Sequence, residues 1–175
     1  MKKSGSSIIK IMVWLSFGLY LLALYYLLFM ADGRGVWEET NPTEYVAKHM
    51  KIVPFETIGA YIRAIIYGHR DSFIPVVNLL GNFVLLMPLG VYLPLLFKKL
   101  KKWSGYIVVV LVCILYIEVT QFLFLRGTFD VDDIILNFSG AMFGFLLRKL
   151  SLIKRLENAY HGRCKEAQNL GGMNK

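Results

Sequence analysis

A chain of 175 residues has room for one domain and not for two ordinary ones. Apolar residues make up 56% and charged residues 18%, against roughly 45–50% and about 25% in soluble domains, and the mean hydropathy is +0.52. This excludes a disordered chain, collagen, a coiled coil and a charged soluble domain, and leaves a membrane protein or a globule with implausibly greasy helices; the expectation followed below is an all-α integral membrane protein. The net charge of +8 is no sign of a nucleic-acid partner, because the basic residues fall in short clusters beside apolar runs rather than among aromatics. Cys113 lies inside an apolar run and Cys164 in the tail, so neither a disulfide nor a thiolate metal site is expected.

A spanning helix needs about 20 apolar residues. Four runs meet or approach that length: 8–30, 73–97, 106–125 and 131–147. The first is too long for a signal-peptide core and lacks a small-x-small cleavage site, so it is expected to be retained. Lys2, Lys3 and Lys10 flank the first run; Lys98, Lys99, Lys101 and Lys102 fill the link between the second and third; Arg148, Lys149, Lys154, Arg155, Arg163 and Lys165 follow the fourth. Positive-inside reasoning then puts both termini in the cytoplasm and the other two connections outside. Residues 1–150 are expected to form a single four-span domain, and 151–175 a basic cytoplasmic tail that is mobile at its end.

The segment between the first two runs is about 40 residues, long for a connection. After Pro54, the residues Phe55, Ile58, Ile62, Ile65 and Ile66 recur at helical spacing, with Glu56, Gly59 and Arg63 between them. That stripe predicts an amphipathic helix, either lying in the interface or packed over the mouth of the bundle.

A charged side chain at mid-membrane costs roughly 2.5–3.5 kcal/mol on insertion scales, so polar residues in the spans need a partner or a task. Asn78 and Asn82 share one face of the second span, with Gly81 beside them; Glu118 and Gln121 share one face of the third; Asp133 and Asn137 share one face of the fourth, continued by Gly140 and Gly144. At 1.5 Å per residue these pairs lie at one depth, roughly 8–14 Å below the outer ends of the helices. Arg126, Asp130, Asp132 and Asp133 lie above them. The convergence predicts an outward-facing polar pocket or a buried polar knot. Asn78, Asn82 and Gln121 taken alone also fit ordinary helix glue, and Gly81, Gly140 and Gly144 fit close helix packing. Glu118 asks for more, with Arg126 as a natural counter-ion. Asp133 alternatively fits an N-terminal helix charge. Arg126 would partner Glu118 or Asp133, or hold a lipid phosphate. Asp132, one residue back, is expected to face water.

Other features carry less. His49, His69 and His161 have no second ligand at helical spacing, so no metal site is expected. Ser139 lacks a nucleophile frame, and no glycine-rich phosphate loop occurs. Trp14, Trp37 and Trp103 near the ends of spans fit an aromatic belt. Pro88, below Asn82, is placed to open the bundle at the floor of the pocket.

The motifs Asn78-Leu-Leu-Gly-Asn82-Phe-Val-Leu-Leu-Met-Pro88-Leu-Gly90, Glu118-Val-Thr-Gln121 and Arg126-Gly-Thr-Phe-Asp130-Val-Asp-Asp133-Ile-Ile-Leu-Asn137-Phe-Ser-Gly140 resemble the VanZ-like family. The stretch Ile52-Val53-Pro54-Phe55-Glu56-Thr57-Ile58 is similar to that family's segment before the second span, so the likeness runs from about Lys51 to Leu147. The resemblance implies a multi-pass protein of the bacterial plasma membrane, largely in Gram-positive cells. Its namesake is an accessory protein of glycopeptide-resistance clusters that confers teicoplanin resistance without making the D-Ala-D-Lac precursor, and no established reaction comes with the family.

Three functions follow as expectations. The first is a non-enzymatic envelope protein without a cofactor, binding or shielding a membrane lipid or lipid-linked wall precursor. The second is an intramembrane enzyme on a lipid-linked phosphate or glycan, with Glu118 and Asp133 as general base or ligands to Mg²⁺ or Ca²⁺ and Arg126 on the phosphate. The third is an ion-coupled transporter, for which four spans and no inverted repeat are poor material even as a homodimer through Gly140 and Gly144.

Overall fold

The structure is a computed structural model that describes residues 2–30, 41–68 and 73–161. Trp37, His69, Cys164 and the end of the tail, with Arg163 and Lys165, lie outside the described residues, as do the side chains of Lys2 and Lys3. Helix α1 (Lys2–Tyr25) runs into a single π-helical turn, Tyr26–Met30. Helix α2 (Pro42–His49) starts at Asn41, whose side chain accepts from the Thr43 amide at 3.0 Å. Strand β1 (Met50–Lys51) leads into α3 (Glu56–Ile66). The second apolar run forms α4 (Phe73–Leu85) and α5 (Met87–Leu96), and a 3₁₀ turn, Lys98–Lys101, joins it to α6 (Trp103–Leu123). Strand β2 (Phe129–Asp130) pairs in parallel with β1, Met50 opposite Phe129 and Lys51 opposite Asp130. Helices α7 (Val131–Leu147) and α8 (Ser151–Tyr160) complete the described chain.

Among the described residues, three stretches are long and apolar enough to cross a bilayer unaided: Ser7–Met30, Phe73–Leu96 and Trp103–Leu123. Helix α7, about 25 Å long at 1.5 Å per residue, reaches that test only together with α8, which bends away from it by 77°. The bundle's outer surface is apolar: Leu15, Leu19 and Leu22 on α1, and Val108, Val112 and Tyr116 on α6, are all exposed. Lipid tails solvate such side chains as well as a core does, so packing rather than hydrophobic burial holds the helices together.

Glycine supplies that packing. A Cβ built at Gly140 would enter the Phe83 carbonyl of α4, one at Gly144 the Met87 carbonyl, and one at Gly90 the Ala141 carbonyl and Phe145 amide of α7. The Gly140–Gly144 face is therefore occupied inside the chain. Gly81 does not share this role: it is exposed, with nothing within 4 Å of a built Cβ. The expectation of a packing glycine there is corrected to Gly90.

The second run is broken rather than continuous. Pro88 has no amide hydrogen for the Val84 carbonyl, and the Leu89 amide turns to the Leu86 carbonyl at 3.1 Å. This frees the Leu85 carbonyl, which accepts from the Tyr20 hydroxyl of α1 at 2.9 Å. The break thus seals the bundle where the sequence pointed to an opening. Leu86, at the break, is only 2% exposed and packs in the core with Leu28, Tyr106, Ile114, Ala141 and Phe145.

At the lysine end, residues beyond Ser151 are not a plain tail. Helix α8 buries Tyr160 against Val13 of α1 and Leu95 of α5. The Lys101 ammonium pairs with Glu157, and Arg148 donates to the Lys101 carbonyl at 3.0 Å with its guanidinium 4.1 Å from the centre of the Phe145 ring. Burial pushes the Glu157 carboxyl up, but the hydrogen bond and charge of Lys101, with the charges of His161 and Arg148, outweigh it and hold the carboxyl below its ordinary range.

A polar cavity at one end of the bundle

In the last three apolar runs, a polar residue at this end has an apolar one a turn deeper. Asn82 is followed by Leu86, Asn137 by Ala141, and Glu118 is preceded by Ile114; Leu86, Ala141 and Ile114 belong to the core cluster. The polar level therefore rests on an apolar floor, closed further by Leu28 of the π turn. Above the floor lies a cavity of about 270 Å³, lined by Asn78, Asn82, Glu118, Gln121, Arg126, Asp130, Asp133 and Asn137. Helices α4, α6 and α7 supply six of the eight pocket residues expected from the sequence, and the α6–α7 connection supplies Arg126 and Asp130.

Their bonds separate anchoring groups from available ones. Gln121 donates to the Leu28 carbonyl at 3.0 Å and so ties α6 to the π turn of α1. Asn78 donates to the Tyr61 hydroxyl at 3.0 Å, and Asn82 donates to Asp133. Asp130 is 2% exposed and fully engaged: Oδ1 accepts from the Asp132 amide at 2.9 Å, Oδ2 accepts from Thr57 at 2.7 Å, and the Lys51 ammonium stands 3.9 Å away. It caps α7 and ties it to α3. Asn137 is 3% exposed, and its Oδ1 accepts no hydrogen bond among the described residues. Glu118 is 2% exposed; its Oε2 likewise accepts none, although the residue is held by other interactions. A buried acceptor left unfilled costs about 1–3 kcal/mol, so the cavity calls for a donor.

Asp132 requires correction. It is wholly buried, and its carboxylate reaches α3, Oδ1 accepting from the Phe55 amide at 2.6 Å and Oδ2 from the Ile58 amide at 2.9 Å. Phe55 stands at φ 66°, the left-handed region that ordinary side chains avoid, and has no side-chain cap of its own. The Asp132 side chain from another helix thus fills the cap at the positive end of the α3 dipole.

Sequence reasoning also missed other lining residues, Lys51, Thr57 and Tyr61 among them. Thr57 and Tyr61 lie four apart on the helix face opposite the isoleucines, so the same periodicity contained them. On the other face Phe55, Ile62 and Ile66 are exposed, as an interfacial helix requires. Arg126 is positioned by the end of α6: the Arg126 amide bonds to the Gln121 carbonyl at 2.8 Å, the Leu125 amide to the Phe122 carbonyl at 3.2 Å, and Leu125 takes φ 56°. This is a Schellman ending with leucine where glycine is usual. Tyr45 of α2 braces it, donating to the Phe122 carbonyl at 3.0 Å. Among the described residues no group of three or more His, Cys, Asp or Glu side chains is arranged to hold a metal ion.

The fold and the cavity define a multi-pass helical membrane protein with a polar recess at one end of its bundle. The VanZ/LLP1 family model matches residues 17–153, and the chain belongs to that family. No curated protein and no solved structure matches it.

Proposed function

We propose that this VanZ-like protein lies in the bacterial plasma membrane with both termini in the cytoplasm and its cavity open to the exterior. There it binds or shields a membrane lipid or lipid-linked wall precursor and lowers susceptibility to teicoplanin-type lipoglycopeptides. The observation that carries this reading is the cavity itself: a polar lining with the buried Asn137 Oδ1 above an apolar floor, at the end of the bundle opposite the Lys98–Lys101 turn. Positive-inside reasoning supports the direction, and the exposed apolar face of α3 supports contact with the membrane surface.

The test is drug susceptibility in a sensitive Gram-positive host carrying empty vector, wild type, Glu118→Gln or Asp133→Asn, with membrane levels of the protein checked. The expected result is a rise in resistance to teicoplanin over vancomycin that both variants lose. No rise with well-expressed wild type would remove the resistance role. Glu118 and Asp133 line the same cavity as Arg126, which favours a second reading, catalysis on a lipid-linked phosphate. That reading requires turnover by purified protein and its loss in Glu118→Gln.

A further inference from the structure

On the bilayer-facing side lies a second recess, of about 330 Å³, between the π turn of α1 and the far end of α6. Its walls include Phe29 and Met30 from the turn, Tyr116 and Thr120 from α6, and Phe124 capping the end of α6. Tyr116 and Phe124 are 71% and 67% exposed, so the recess opens sideways along the bundle. Arg126 lines this recess and the polar cavity alike.

The two spaces differ in what they can accept. The sideways recess is mostly aromatic and aliphatic, and in a membrane only hydrocarbon is available to fill it. The polar cavity holds the buried acceptor Asn137 Oδ1, which calls for a hydroxyl or amide donor. A guanidinium at their junction matches a phosphate, which it binds through paired, charge-assisted hydrogen bonds. A π turn is a frequent mark of a functional position in a helix. Here it supplies Leu28 to the floor of the cavity and Phe29 and Met30 to the wall of the recess.

We infer that the two spaces form one site for an amphiphilic lipid: a hydrocarbon chain in the recess of Phe29, Tyr116 and Phe124, its phosphate on Arg126, and a hydroxyl-bearing headgroup in the polar cavity. This rests on the lipid-binding reading above and adds where the chain lies and which link joins chain to headgroup. The occupant is a single membrane lipid entering sideways from the bilayer, not a soluble phosphate.

The test measures lipid adducts on the purified full chain by native mass spectrometry. Dioleoylphosphatidylglycerol offers phosphate and hydroxyls, dioleoylphosphatidylcholine offers phosphate without donors, and dioleoylglycerol lacks phosphate. Retention should fall in that order. Arg126→Gln should weaken phosphatidylglycerol by about tenfold, the effect of losing a charge-assisted contact. Thr120→Trp should block the recess, and Tyr116→Ala should remove a wall by trimming an exposed side chain that the fold does not need. Thermal melting of each variant establishes that it is folded. Wild-type retention in both recess variants overturns the inference; if Asn137→Leu still loses lipid, the cavity reading survives alone. Retention unchanged in every variant removes both. A dimer of the purified chain that Thr120→Trp dissociates also overturns the inference, since a second copy would then fill the recess.

Discussion

Replacing Asp132 with alanine tests the most buried polar contact at the cavity. Both carboxylate oxygens are engaged, with the Phe55 amide at 2.6 Å and the Ile58 amide at 2.9 Å, and the residue is 0% exposed. Hydrogen bonds to charged groups contribute about 1.5–3 kcal/mol each, while an ordinary N-cap replaced by alanine costs about 0.5–2 kcal/mol because water takes over the freed amides. Water cannot reach this position without opening the contact, so the cost should exceed the exposed case and approach about 3 kcal/mol. Asp132→Asn keeps one acceptor and turns an amide nitrogen toward the other N–H, for a loss of about half as much. The measurement is hydrogen exchange of the α3 amides in detergent, where 3 kcal/mol is a rate increase of about a hundredfold. Lipid retention should fall with it, because α3 carries Thr57 and Tyr61 into the cavity. Exchange in Asp132→Ala that matches wild type would refute the capping argument.

Gly140→Ala should lower stability by about 3 kcal/mol, the upper end for overpacking, because the obstacle is the Phe83 carbonyl and a backbone cannot rotate aside. Gly81→Ala, facing open space, should change thermal stability by less than about 0.5 kcal/mol; comparable melting of the two variants would discard the packing assignment. For Glu157, whose carboxyl is held below its ordinary range, the stabilisation is present above the unfolded value of about 4.3 and lost as pH falls through the lowered folded one. Lys101→Met removes the main lowering influence and leaves burial opposed only by His161 and Arg148, so the rise in exchange of the α8 amides on acidification should shrink or vanish rather than start at the wild-type pH. An unchanged pH onset would show that Lys101 does not hold α8.

The spans were legible because lipid demands long apolar runs, and the lysine clusters punctuate them. The cavity was legible because Asn82, Glu118, Gln121, Asp133 and Asn137 violate that demand at one depth. Gly140 and Gly144 announced themselves by spacing. Asp132 did not, since its partners are backbone amides 77 and 74 residues away, and an amide leaves no trace in a sequence. Gly81 and Gly90 look alike on paper. Which of them meets a neighbour depends on how the break at Leu86 turns α5 relative to α4, a quantity set by tertiary contact. Thr57 and Tyr61 were hidden by attention to the greasier face of their helix.

The hydroxyl of Tyr20 on the Leu85 carbonyl also bears on how the chain enters a membrane. Until the first span is beside it, the bend carries a bare carbonyl into hydrocarbon, where an unsatisfied group costs several kcal/mol. The first span emerges from the ribosome before the bend does, so its tyrosine is already waiting. Synthesis order and structure agree, and a shortened chain without that span would insert with a vacant acceptor at its centre.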